Sequence, residues 1–183
     1  MQHRVLFFII LTSIIVTSCA IKVRTLHEPR VDFSRYKTFC WLQGCEFTFE
    51  GPGYLQDSVT RARIQKAITE TMERKGFVYN NNTPDLLLGV QVLIETDTAF
   101  IYRRGEEDMI QPFISPEEVP ILKGTLVIDM VDQKTSLMVW RSVALSYFDV
   151  RPSITEENIG KGVRKALKNF PPKSNVTGNQ QSR

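Results

Sequence analysis

The chain has 183 residues, 42% of them hydrophobic and 23% charged, which suits one domain with a real core and leaves little room for a second. A formal charge of +3 argues against a dedicated nucleic-acid surface, because phosphate binding concentrates Lys and Arg on one face. Nothing repeats at a period of about twenty to fifty residues, which disfavours a solenoid or a propeller.

Arg4 precedes an apolar run over 5–16 that only Thr12 and Ser13 interrupt. A membrane-crossing helix needs about 20 apolar residues, so the run is short for a span and fits the central region of a signal peptide. Val16-Thr17-Ser18-Cys19 closes it and resembles the lipobox of bacterial lipoproteins. By that resemblance, 1–18 is a cleaved signal peptide and the Cys19 thiol takes a diacylglyceryl group, with a further acyl chain on the freed amine. One acyl chain binds a membrane marginally, whereas two or three hold it, at about 0.8 kcal/mol per buried CH₂. The expected place is the cell envelope, on the outer membrane facing the periplasm, with the membrane itself as a partner through the acyl chains on Cys19.

Residues 21–26 alternate apolar and polar side chains, as a strand with one buried face does. In 31–42, Phe39 and Trp41 sit two apart on a second strand entering the core. Cys40 and Cys45 are a candidate disulfide pair in an oxidising compartment, although Cys40 equally suits a small buried hydrophobe with Cys45 free in the next loop. Residues 43–54, with three Gly and one Pro, read as loop. A helix follows over 58–75, with Asp57 or Ser58 as cap and Ile64, Ala67, Ile68, Thr71 and Met72 on one side. Gly76 is placed to end it in the left-handed conformation, with Phe77 folding back.

Residues 80–84 are a turn, and Leu86, Leu88, Val90, Val92 and Ile94 then mark a strand reaching as far as Tyr102. A hairpin joins 125–131 to 137–147, with Leu126, Ile128, Met130 and Trp140 on its core side. The last helix has capping-box spacing from Ser153 to Glu156 and an apolar stripe of Ile159, Val163, Ala166, Leu167 and Phe170. Gly160 and Gly162 each cost that helix about 1 kcal/mol against Ala. Pro171-Pro172 stops it, and 173–183 has the composition of a disordered tail. The fold class is therefore α/β, with element order β-α-β-β-β-α. It predicts two layers, a mixed and mostly antiparallel sheet with both helices on one face, in a single domain over 19–172.

Four segments together resemble the bacterial lipoproteins that carry the domain of unknown function 4136. They are Asp32-Phe33-Ser34-Arg35-Tyr36-Lys37-Thr38-Phe39-Cys40-Trp41, Pro84-Asp85-Leu86-Leu87-Leu88, the pair Gly124–Asp129 and Val139-Trp140-Arg141, and Asn169-Phe170-Pro171-Pro172. The resemblance spans nearly all of 20–172 and implies an α/β fold in the cell envelope. It brings no activity or catalytic residue with it. Cys40 and the 103–122 segment depart from the family pattern.

Residues suited to chemistry are few. His27 is the only histidine after Cys19, and no HExxH, paired CxxC, GxSxG, GxxxxGK[ST] or GxGxxG occurs, which argues against zinc, serine-hydrolase and nucleotide sites. No cofactor is expected. Glu106, Glu107, Asp108, Glu117 and Glu118 crowd one Pro-containing segment, where solvated charge is the simpler reading than a glycosidase pair. Trp41 and Trp140 read as core rather than as a sugar groove.

The expected function is a noncatalytic, membrane-anchored envelope lipoprotein that binds or scaffolds an envelope protein or glycan. The alternative is a lipid-anchored hydrolase acting on glycan or peptide, which two facing carboxylates in a cleft would favour. A loop over 103–122, stiffened by Pro112, Pro116 and Pro120 and carrying Met109, Ile110, Phe113, Ile114 and Val119 among charges, is the candidate docking patch, the simpler alternative being that Phe113 and Ile114 tuck back onto the sheet.

Overall fold

The computed structural model describes residues 21–42, 47–101 and 116–172. Seven strands form one sheet: β1 (Lys22–His27), β2 (Thr38–Trp41), β3 (Thr48–Glu50), β4 (Val78–Tyr79), β5 (Leu86–Ile101), β6 (Glu117–Asp132) and β7 (Met138–Asp149). Their order is β1-β7-β6-β5-β2-β4, with β3 also pairing β5. The β1/β7, β5/β6 and β6/β7 pairs are antiparallel, while β2 and β3 run parallel to β5 and β2 parallel to β4. The parallel pairs follow from the crossover through helix α1 (Ser58–Arg74), which separates β3 from β4.

Helix α1 begins where Asp57 Oδ1 accepts the Thr60 N–H at 2.6 Å and is followed by Gly76 at φ 88°, as its capping residues dictate. Ile64, Ile68 and Met72 are its buried stripe. Helix α2 (Glu156–Ala166) buries Val163 and Ala166, and the chain beyond it buries Leu167 and Phe170. The cap of α2 differs from the expected one. Thr155, not Ser153, accepts the Asn158 N–H, at 3.2 Å, and Asn158 Nδ2 donates to the Ser153 carbonyl at 3.0 Å. Thr155 and Asn158 complete a capping arrangement of the same spacing, two residues closer to the apolar stripe.

Both helices lie on one face of the sheet, since Ile64 of α1 and Val163 of α2 line the same space as Val92, Leu126 and Ala144. That face holds the core. Leu86, Leu88, Ile128, Met130 and Trp140 are essentially inaccessible, in keeping with period-2 burial on adjacent strands. The opposite face carries Leu87, Val127, Val131, Val143 and Leu145, all half-buried. No helix among the described residues covers it.

Three expectations are corrected. Residues 33–35 form a short 3-10 turn ahead of β2 rather than extended strand, because Asp32 Oδ1 captures the Ser34 N–H at 2.9 Å. Part of 43–54 is ordered: β3 inserts Phe49 into the core beside α1, and Gly53–Leu55 is a second 3-10 turn. The 103–122 segment is not one loop. Residues 117–122 belong to β6 and pair with 96–101 of β5, while 103–115 lies outside the described residues. Pro120 is tolerated there because β7 ends its pairing at Ile121, so the missing N–H falls on a free edge.

Candidate functional site

At one end of the sheet, the hairpin turn meets the segment before β2. Asp132, with its side chain 3% exposed, accepts from Tyr36 Oη at 2.7 Å and from the amides of Lys134 at 2.9 Å and Thr135 at 3.0 Å. The Arg35 guanidinium also donates to it and to the Tyr36 hydroxyl. Burial alone would raise the Asp132 carboxyl, but these donors outweigh it and hold it below the usual carboxylate range. Tyr36 shifts the other way, chiefly through its own burial.

Asp85 makes a second latch nearby. It takes the amides of Lys37 at 2.8 Å and Thr38 at 2.9 Å, and the Thr38 hydroxyl at 3.0 Å. Burial again pushes its carboxyl up, and the three hydrogen bonds bring it down. Beneath both latches lies an aromatic cluster in which Phe170 meets Trp140, Phe77 and Phe33 with ring centroids 5.1, 5.2 and 6.1 Å apart. The two carboxylates spend their hydrogen-bonding capacity on tying the chain together. This end is a structural lock.

The other end is open. A cavity of about 680 Å³ lies between the two helices and the sheet, with mostly aliphatic and aromatic walls and Ile21 at its margin. Its size falls within the range of about 300–1,000 Å³ common for small-molecule sites. Two lining positions carry little or no side chain: Ala144 on β7, and Gly162 on α2, where an added Cβ would meet nothing within 4 Å. Beyond it, 98–101 and 117–120 extend as a two-stranded ribbon past the last β6/β7 pair, with Phe100 58% exposed.

Among the residues singled out from sequence, Cys19 and Cys45 lie outside the described ones. Cys40 is buried on β2, its Sγ 3.3 Å from the Trp41 carbonyl, and burial pushes the thiol up. His27 is exposed at the end of β1, edge-on to Phe33 with centroids 6.3 Å apart. Trp140 is core and Trp41 is half-buried against it. Glu117 and Glu118 face the ribbon partners Ile101 and Phe100, whereas Glu106, Glu107 and Asp108 lie outside the described residues. Among those described, no group of three His, Cys, Asp or Glu is placed to hold a metal. Every described carboxylate with a resolved shift is lowered rather than raised.

Sequence reading missed the Arg35–Tyr36–Asp132 cluster, whose partners are 96 and 97 residues apart, and it missed the cavity. The one sequence signal of the cavity was the unexplained glycine at 162 in a strongly amphipathic helix.

The motifs behind the resemblance supply Arg35, Tyr36 and Asp85 of the latches and Phe33, Trp140 and Phe170 of the aromatic cluster, while Gly124, Thr125 and Leu126 of a further motif line the cavity. A model of the domain of unknown function DUF4136 matches residues 23–172. The chain belongs to this family. No curated relative matches it. Among solved structures, the DUF4136 fold is similar to part of a PDZ domain protein from Parabacteroides distasonis, at 16% identity and a TM-score of 0.54. That alignment covers 84% of this chain and 36% of the other, so the DUF4136 chain spans about a third of that protein's length, and the likeness concerns the fold alone. A PelC dodecamer from Paraburkholderia phytofirmans aligns at 12% identity over 81% of this chain and 95% of its own, with a TM-score of 0.46.

Proposed function

We propose that this DUF4136 protein is a noncatalytic envelope lipoprotein, held on a membrane by acyl chains on Cys19, that binds another envelope component through the open face of its sheet. The observation that carries the binding role is that face. Leu87, Val127, Val131, Val143 and Leu145 form a half-buried apolar lattice on adjacent strands, edged by Leu93, Met138 and Tyr147, all exposed. Apolar side chains gathered on an uncovered sheet face suit an interaction site.

At its centre, Arg141 grips Asp129 through two hydrogen bonds of 2.6 Å. The pair leaves little uncompensated charge for a docking partner to desolvate. Support for the anchor comes from Val16-Thr17-Ser18-Cys19 ending three residues before β1. A lipid there holds an edge strand of the sheet against the membrane with almost no linker.

Two measurements test the reading. Cys19→Ser abolishes incorporation of labelled palmitate and releases the protein from the membrane fraction; unchanged incorporation refutes the anchor. Val143→Lys, on the open face, leaves the thermal melt nearly unchanged and removes the adducts formed when the protein is cross-linked in its own envelope. Identical adducts in that variant refute the binding face.

A further inference from the structure

We propose that the cavity between the helices and the sheet is the seat of an acyl chain carried on this protein's own Cys19. The inference rests on the lipoprotein reading above and gives that lipid a place on the protein itself.

The first argument is reach. Ile21 lines the cavity and stands two residues after Cys19. A chain spans at most about 3.3–3.6 Å per residue, so the Cys19 backbone lies within about 7 Å of the cavity margin. That tether is short enough for acyl carbons on Cys19 to enter the apolar opening.

The second argument is chemistry. The walls come from Ile64, Val92, Ile94, Leu126 and Val163, with Phe148 at one side. Lys161 is the one cation of the lining among the described residues, and it is held by Glu157 at 2.6 Å. With Asp149 also in the lining and Glu157 beside Lys161, the opening offers an anionic ligand no net positive charge. An uncharged hydrocarbon would not need one, and a chain about half as long as the roughly 30 Å bilayer core is what each leaflet contributes.

The third argument is that the space is kept open. Glycine is a poor residue for a helix interior, and it is tolerated where a neighbour packs too closely for a side chain. At Gly162 no neighbour does so, since an added Cβ would meet nothing within 4 Å. Gly162 is itself part of the cavity lining, so its missing side chain leaves that stretch of wall bare. Gly124, on the floor, serves a different purpose, because the Phe148 ring lies against it.

The experiment uses the full chain in its own cells, fed a palmitate analogue that carries a photoactivatable diazirine. After irradiation, the protein is digested and acyl adducts are mapped by mass spectrometry. The expected result is label on Cys19 together with adducts on the cavity segments of α1, β7 and α2. Gly162→Leu fills the cavity while improving helix propensity, and Ala144→Trp fills it from the sheet side. Each is expected to keep the label on Cys19 and lose the cavity adducts, with folding checked by circular dichroism.

Label on Cys19 without cavity adducts in the natural chain would place the acyl chains in the bilayer and overturn the inference alone. Cavity adducts that persist in Cys19→Ser would show a free lipid as the occupant and also overturn it. Absence of label from Cys19 would overturn the lipoprotein reading, and this inference with it.

Discussion

The two ends of the sheet are built on opposite principles. At the hairpin end, Asp132 and Asp85 each gather three or more donors, and Phe170 is wedged among three other rings. At the ribbon end, the same two helices and the same strands leave an apolar space of about 680 Å³. Close packing is the rule in protein interiors, so the contrast separates what holds the fold from what is left available to a ligand. Most of the family motifs fall on the holding end, with Gly124, Thr125 and Leu126 the exception that reaches the cavity.

Truncations at the two ends are expected to differ in cost. Phe170→Ala removes a ring that is 1% exposed and is expected to destabilise by about 3–5 kcal/mol, with Leu167→Ala at about 2–5 kcal/mol. Ile159→Ala, beside the cavity on the same helix, is expected to cost about 1 kcal/mol, because its surroundings already contain empty space. Urea unfolding of the three variants measures this. Equal losses at Phe170 and Ile159 would erase the distinction between the ends.

The latch is expected to show in the acid limb of stability. Asp132 and Asp85 are lowered in the folded protein, so their contribution is fully present above the unfolded value of about 3.9 and is lost as pH falls through the lower folded values. Asp132→Asn removes the charge that Arg35 and Tyr36 serve, at an expected cost of about 1–3 kcal/mol near neutrality. Half-exposure of Arg35 puts the result toward the lower end. The variant is also expected to lose less further stability than the natural chain between pH 4 and the folded values, as read from thermal melts across pH. A parallel acid limb in both proteins would show that Asp132 does not titrate as part of the latch.

Much of the fold was legible in the sequence because its long elements have clean periodicity. The alternation from Leu86 to Ile94 and the stripe from Ile159 to Phe170 both record a single buried face. Shorter elements left no such record. The three residues of β3 and the two of β4 are too few to show a period, and Gly and Pro around β3 read as loop. Glu117, Glu118 and Pro120 hid the start of β6, since a ribbon exposed on both faces has no apolar side to display. The latch was invisible for another reason: Tyr36 and Asp132 are brought together only by the sheet, and nothing local to either predicts the other. The cavity left only Gly162, which reads as a mere cost until its surroundings are known.

The smallest expected effect concerns glycines at the open end, and it has opposite signs at two positions. Gly162→Ala adds a methyl where nothing lies within 4 Å and relieves the entropy that glycine loses in a helix. A gain of about 0.5–1 kcal/mol follows from helix propensity, raising Tm by about 1–4 °C in a domain of this size. Gly124→Ala places its Cβ 2.6 Å from Phe148 Cε2, closer than two carbons can stand, so the ring must swing away from the sheet and Tm is expected to fall. Differential scanning calorimetry of the two variants reads both signs. A fall for Gly162→Ala would mean that α2 packs against something at that position after all, and the space beside it would no longer stand as a cavity held open by a missing side chain.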